Sequence, residues 1–168
     1  MSTLAFDRLP LALQEKISRL TARPVLIGES GTKVFQLSRD HTPTCYLKIA
    51  TDMAPRELHI ERDRLVWLRD KLPVPDVLFY GEDADAQYLL LSVVEGVDAS
   101  VLAEREDGDP LLLVTALAEG LRQIHAVPIE DCPLQRRLDF MLGEAWKRVE
   151  RLLVDEDDFD DERHLIHK

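Results

Sequence analysis

A carboxylate stands where a helix should be greasy. Over roughly 55–72, Leu58, Glu61, Leu65, Leu68 and Leu72 recur at intervals of three and four, which lines them along one face of an α-helix. Pro55 is acceptable in the first turn, and "PVP" at 73–75 stops the helix. A charge buried on that stripe without a partner is costly, so Glu61 must neutralise, reach water at the helix edge or find a cation. The strand just upstream offers one. In "CYLKIA" (45–50), alternation puts Cys45, Leu47 and Ile49 on one face and Tyr46 and Lys48 on the other. Lys48 alone reads more readily as an edge-strand lysine that guards against aggregation. Together with Glu61 it reads as half of an ion pair, at least partly buried, which would hold the helix over the non-core face of the strand.

The remaining pattern sets these two elements in order. Leu13, Ile17 and Leu20 suggest a helix over 9–21. "PVLIG" (24–28) and "KVFQL" (33–37) read as strands joined by the small-residue turn "ESGT" (29–32), and "RDHTP" (39–43) is a second turn before "CYLKIA". After the long helix, "DVLFYG" (76–81) and "QYLLLSVV" (87–94) are strands around "EDADA" (82–86). Beyond Gly96 the pattern turns helical, with helices over 110–127 and 133–154; the second carries Leu138, Leu142, Ala145, Val149 and Leu152 on one stripe. The order is strand-strand-strand-helix-strand-strand, then helices, with "EGVDAS" (95–100) as the hinge. No internal repeat is present.

Charge narrows the partners. The 168 residues carry a formal net charge of −11, which argues against nucleic acid, because binding its backbone needs clustered Lys and Arg. It suits a cationic ligand, or simply solubility. Cys45 and Cys132 form no CxxC pair, so neither a disulfide framework nor a zinc motif is suggested. No signal peptide and no apolar stretch of membrane-spanning length is seen, so a soluble cytoplasmic protein is expected.

These residues and their order resemble the aminoglycoside phosphotransferases, particularly the 3′-type. The resemblance rests on "GESGTKVFQL", "CYLKIA", "ERDRLVWLRDKLPVPDVL", "LLLSVVEG", "LRQIHAVPIEDCP" and "LVDEDDFDDE", which together run to about Arg163. It implies an α+β, protein-kinase-like fold: an antiparallel five-stranded N-lobe sheet with one long helix, then the first helices of a truncated helical C-lobe. The divisions it implies are a nucleotide-binding lobe at 1–94, the hinge at 95–100 and an incomplete helical lobe with an acidic substrate loop at 101–168.

The resemblance also implies roles. Lys48 would hold the α- and β-phosphates of ATP, with Glu61 as its orienting partner; Tyr46 would stack on the adenine; Ser30 would lie in the nucleotide-positioning loop; Ser92 and Val94 would stand at the hinge beside the adenine edge. Asp157, Asp158 and Asp160 match a carboxylate-rich loop for the ammonium groups of an aminoglycoside. On composition alone, that run of seven acidic residues in eight (155–162) would read as a solvated tail.

Phosphoryl transfer further needs a base and ligands for Mg²⁺, which the family carries on a His-x-Asp-x-x-x-x-Asn loop followed by a metal-binding Asp. None of the five histidines is followed by Asp two residues on. The expectation is an ATP-dependent aminoglycoside kinase, present as a chain that binds nucleotide but does not turn over, with neither base nor Mg²⁺ ligands. Its C-lobe helices, left with exposed apolar faces, would self-associate. The alternatives are another small-molecule kinase of this fold, for choline, homoserine or a sugar, and a non-catalytic fragment that binds nucleotide or a partner protein.

Overall fold

A computed structural model of the chain describes residues 5–26, 31–51, 57–103, 109–133 and 138–151. The chain divides into two compact units, Met1–Ile129 and Glu130–Lys168. In the first, a short 3-10 turn (Phe6–Arg8) leads into α1 (Leu11–Ile17), followed by strands β1 (Thr21–Val25), β2 (Lys33–Arg39) and β3 (Thr42–Thr51). Helix α2 (Leu58–Leu68) separates these from β4 (Val77–Glu82) and β5 (Ala86–Ser92), and α3 (Ala99–Ala103) and α4 (Pro110–His125) complete the unit. Helix α5 (Leu138–Glu150) belongs to the second unit.

The five strands form one antiparallel sheet in the order β1-β2-β3-β5-β4. Its inner strands are covered on both faces, which explains why β5 reads as a nearly unbroken apolar run. On one face Phe35, Leu37, Cys45, Leu47, Ile49, Tyr88 and Leu90 pack with Leu13 and Ile17 of α1. On the other, Ala50, Leu89 and Leu91 meet Leu58 and Leu65 of α2. Alternation therefore places Cys45, Leu47 and Ile49 as the pattern in "CYLKIA" requires, all buried, with Tyr46 and Lys48 half-buried on the α2 side.

Several boundaries differ from the sequence reading. β1 starts three residues earlier than "PVLIG", because its pairing runs from Thr21 opposite Ser38 to Val25 opposite Val34. Pro24 is tolerated there since β1 is an edge strand and needs no ladder donor at every position. Helix α2 is shorter than 55–72: Pro55 lies outside the described residues, and the helix proper stops at Leu68. A turn follows in which the amides of Lys71 and Leu72 both donate to the Leu68 carbonyl, since Leu72 precedes Pro73 and is disfavoured in helix. Arg69 fastens this turn to the start of β4 with two hydrogen bonds to Asp76 Oδ1, at 2.8 and 2.7 Å. The β2–β3 connection is a two-residue hairpin turn: Asp40 and His41 both take positive φ, at 50° and 65°, as a type I′ turn demands.

Helix α4 begins as its sequence prescribes, with Pro110 in its first turn and the Asp109 carboxylate accepting the Leu111 amide at 2.9 Å. Its apolar side chains Leu111, Val114, Leu117, Leu121 and Ile124 are exposed, as are Leu138, Leu142, Trp146 and Val149 of α5. No helix among the described residues is long and apolar enough to cross a membrane.

Candidate functional site

The site grows out of the register between β2, β3 and α2. Lys48 lies opposite Val34 on β2 and Leu89 on β5, and Tyr46 lies opposite Gln36 and Leu91. These positions share the face on which α2 rests. Lys48 Nζ donates to Glu61 Oε1 at 2.7 Å, across that gap between sheet and helix. The two side chains keep 30% and 33% exposure, so the pair is partly shielded while its charges still reach a ligand. The expected ion pair is present.

A cavity of about 260 Å³ opens beside the pair, lined by Thr32, Val34, Lys48, Glu57, Leu58, Ile60, Glu61 and Arg64. The α2 contributions at 57, 60, 61 and 64 follow one helix face by their spacing, and Thr32 and Val34 form the opposing wall at the start of β2. The lining combines apolar Val34, Leu58 and Ile60 with charged Lys48, Glu57, Glu61 and Arg64, and it can seat an anionic ligand against Lys48.

Two glutamines that the sequence reading left aside shape this site. Gln36 Nε2 donates to the Tyr46 hydroxyl at 2.9 Å and so fixes the Tyr46 ring on the sheet. Period-two alternation in "KVFQL" would have put Gln36 on the face of Val34 and so beside Tyr46, had the strand register been known. The second is Gln87, a polar side chain buried near the start of β5 at 5% exposure. Its Oε1 accepts the Leu58 amide at 3.1 Å, so a strand residue caps the helix that carries Glu61. Its Nε2 donates to Glu82 Oε2 at 3.2 Å and lies 3.4 Å from His59 Nδ1. The side chain of Glu57, at the N-cap position, makes no cap hydrogen bond. The signal was a glutamine inside an otherwise apolar strand, legible only once the start of α2 is known to lie over it.

The other expected site residues fall as follows. Ser92 ends β5; its amide donates to the Asp76 carbonyl at 2.9 Å, and its hydroxyl accepts the Asp76 amide at 2.8 Å, tying the exit of β5 to the entry of β4. Val94 stands two residues further on with its side chain exposed. Ser30, Asp157, Asp158 and Asp160 lie outside the described residues. Among the described residues there is no cluster of three His, Cys, Asp or Glu side chains able to hold a metal ion.

The model of the phosphotransferase enzyme family matches residues 21–167. The aminoglycoside 3′-phosphotransferase of Streptomyces fradiae is 41% identical over 143 residues, covering 81% of this chain and 52% of that protein. The enzyme of the same name from Niallia circulans is 37% identical over 139 residues, with 81% and 51% covered. The chain thus spans about half the length of the curated relatives it matches. Among solved structures, aminoglycoside-3′-phosphotransferase of type VIII superposes with a TM-score of 0.76 at 33% identity, over 90% of this chain and 56% of that one. An aminoglycoside phosphotransferase from Streptomyces rimosus, solved with ADP and streptomycin, superposes with a TM-score of 0.66 at 28% identity, over 90% and 53%.

Proposed function

The chain belongs to the phosphotransferase enzyme family, with the kinase-like fold of the aminoglycoside phosphotransferases, and from that premise we propose that it is the nucleotide-binding half of an ATP-dependent aminoglycoside O-phosphotransferase. The observation that carries the reading is the 2.7 Å contact between Lys48 Nζ and Glu61 Oε1 at the mouth of a cavity. Glu61 fixes the lysine rotamer, and Lys48 then presents a compact cation to the α- and β-phosphates. Tyr46, two residues along β3 on the same face and held by Gln36, is the platform for the adenine ring. Backbone groups near Ser92 and Val94 serve the adenine edge, and Ser30 serves in positioning the nucleotide. Residues 1–94 are the nucleotide lobe, 95–100 the hinge and 101–168 the helical portion.

The substrate is a polycationic aminoglycoside, phosphorylated on a hydroxyl, the 3′-hydroxyl by analogy with the relatives. Asp157, Asp158 and Asp160 receive its ammonium groups. The cytoplasm, where ATP is available, is its compartment. The 168 residues contain no His-x-Asp-x-x-x-x-Asn loop, so by themselves they bind ATP and do not transfer its γ-phosphate. When bound, Mg²⁺ would neutralise charge on the phosphates; the described residues supply no carboxylate set for it. The exposed apolar faces of α4 and α5 favour self-association.

The test is a calorimetric titration of ATP into the 168-residue chain. Lys48→Ala lowers affinity at least about tenfold, the scale of a charge-assisted hydrogen bond, and leaves the melting temperature close to wild type. Equal affinity in both proteins refutes the nucleotide role. A coupled assay with an aminoglycoside releases no ADP from this chain; ADP release refutes the inactive reading.

A further inference from the structure

The cavity beside Lys48 holds a second cation that no role has absorbed. We propose that Arg64 contacts the terminal phosphate of a nucleoside triphosphate, so that Lys48 and Arg64 divide the polyphosphate between them. This rests on the nucleotide reading of the same cavity.

Arg64 lines the cavity from α2, one helical turn beyond Glu61. Glu61 is already committed to Lys48 at 2.7 Å. Among the described residues, Arg64 makes no ion pair or side-chain hydrogen bond, whereas the neighbouring Arg62 is taken up by Asp63 at 2.7 Å and by the face of Tyr80. Arg64 is half-buried and lines the cavity, which suits a long side chain that packs its stem and leaves its charged head accessible.

The charges along α2 give the cavity a polarity. Glu57 lies at one end of the lining face and Arg64 at the other, about 10.5 Å apart along the helix axis. Glu61, with Lys48 bound to it, sits between them, about 4.5 Å along the axis from Arg64. A polyphosphate held at Lys48 can extend along this lining face toward the cation at the Arg64 end. The chemistry of the two cations fits that division. A lysine held by a carboxylate is a point charge suited to bridging inner phosphates, while the planar guanidinium fork suits the oxygens of a terminal phosphate. The consequence is selectivity by phosphate number: Arg64 rewards the triphosphate over the diphosphate and has nothing to hold on a monophosphate.

The experiment titrates ATP, ADP and AMP into the full 168-residue chain as wild type, Arg64→Ala, Arg64→Lys and Lys48→Ala. Arg64→Ala is expected to weaken ATP about tenfold, to weaken ADP less, to leave AMP unchanged and so to abolish the preference for ATP over ADP; Arg64→Lys recovers part of it. Wild-type ATP affinity and ATP-to-ADP ratio in Arg64→Ala, with Lys48→Ala weakened, overturns the role of Arg64 while leaving the nucleotide reading intact. Equal weakening of all three nucleotides in Arg64→Ala also overturns it, since the effect then lies in the placement of α2. A wild type that binds no nucleotide, or a Lys48→Ala that binds as tightly, brings down both readings. If Arg64→Ala does not fold, Arg64→Gln preserves the polar stem and is judged by the same outcomes.

Discussion

Replacing Gln87 with leucine tests how the fold holds its candidate site. The change keeps side-chain volume and β5 packing but removes the acceptor for the Leu58 amide, 3.1 Å away. Leu58 itself is 5% exposed, so water does not readily replace that acceptor. A buried donor left unsatisfied costs about 1–3 kcal/mol, and a lost helix cap about 1 kcal/mol, which is the same loss counted another way. The new leucine methyls recover up to about 1 kcal/mol by apolar burial. Glu82 loses a 3.2 Å contact but is exposed and rehydrates. The balance is a destabilisation of about 1–2 kcal/mol, or a fall in melting temperature of about 2–8 °C for a chain of this size. Glu61 lies in the first turn of the same helix, so ATP affinity should fall a few-fold as that turn loosens. Urea unfolding followed by circular dichroism and Trp67 fluorescence measures the first effect, and ATP titration the second. A Gln87→Leu protein with the wild-type unfolding midpoint would show that the glutamine does not cap α2.

Further predictions follow from the sheet and its turns. The Tyr88 hydroxyl donates to Asp83 Oδ2 at 3.0 Å, and burial, followed by that carboxylate, pushes its phenol up to about 12. The native state thus favours the protonated phenol: the stabilisation is complete below the ordinary tyrosine value near 10 and is lost as pH rises toward about 12. The melting temperature should fall across that window, and less steeply in Tyr88→Phe; identical slopes would contradict the shift. His41→Gly relieves a non-glycine residue at φ 65° in the β2–β3 turn and should stabilise the chain by about 0.5–1 kcal/mol in urea unfolding, whereas a loss of stability would count against the type I′ assignment. Burial raises the Cys45 thiol and leaves it inaccessible, so a thiol reagent at pH 8 should modify Cys132 in the native chain and reach Cys45 only on unfolding; equal labelling of both in the native chain would place Cys45 at the surface.

The part of this fold that was legible came from periodicity. Alternation in "CYLKIA" separated the core face from the face of Tyr46 and Lys48, and the three-and-four spacing around Glu61 pointed to a cation as one of three ways to accommodate its charge; the structure pairs it with Lys48. Boundaries were less legible because they depend on partners. The extent of β1 is set by its register with β2, which no local pattern contains; Pro73 was legible as a helix stop, but the Arg69–Asp76 contact that follows α2 was not. Gln36 and Gln87 were missed for a related reason: a glutamine in a strand has no characteristic spacing, and its role appears only when the hydroxyl or amide it meets, ten or twenty-nine residues away, is brought to it. Arg64 is different. Its position one turn beyond Glu61 was readable, but Arg62 lies in the same helix and Arg69 just past its end, and only the cavity distinguishes the three.

The claim that Lys48 faces a bound nucleotide is tested most directly by covalent labelling. An acyl-phosphate derivative of ATP transfers its acyl group to a lysine amine lying against the phosphates, and mass spectrometry of the digested chain locates the modified residue. Lys48 should be the lysine acylated first, free ATP should protect it, and Glu61→Gln should slow the labelling by loosening the lysine. Acylation spread over the surface lysines, with no protection of Lys48 by ATP, would contradict the account.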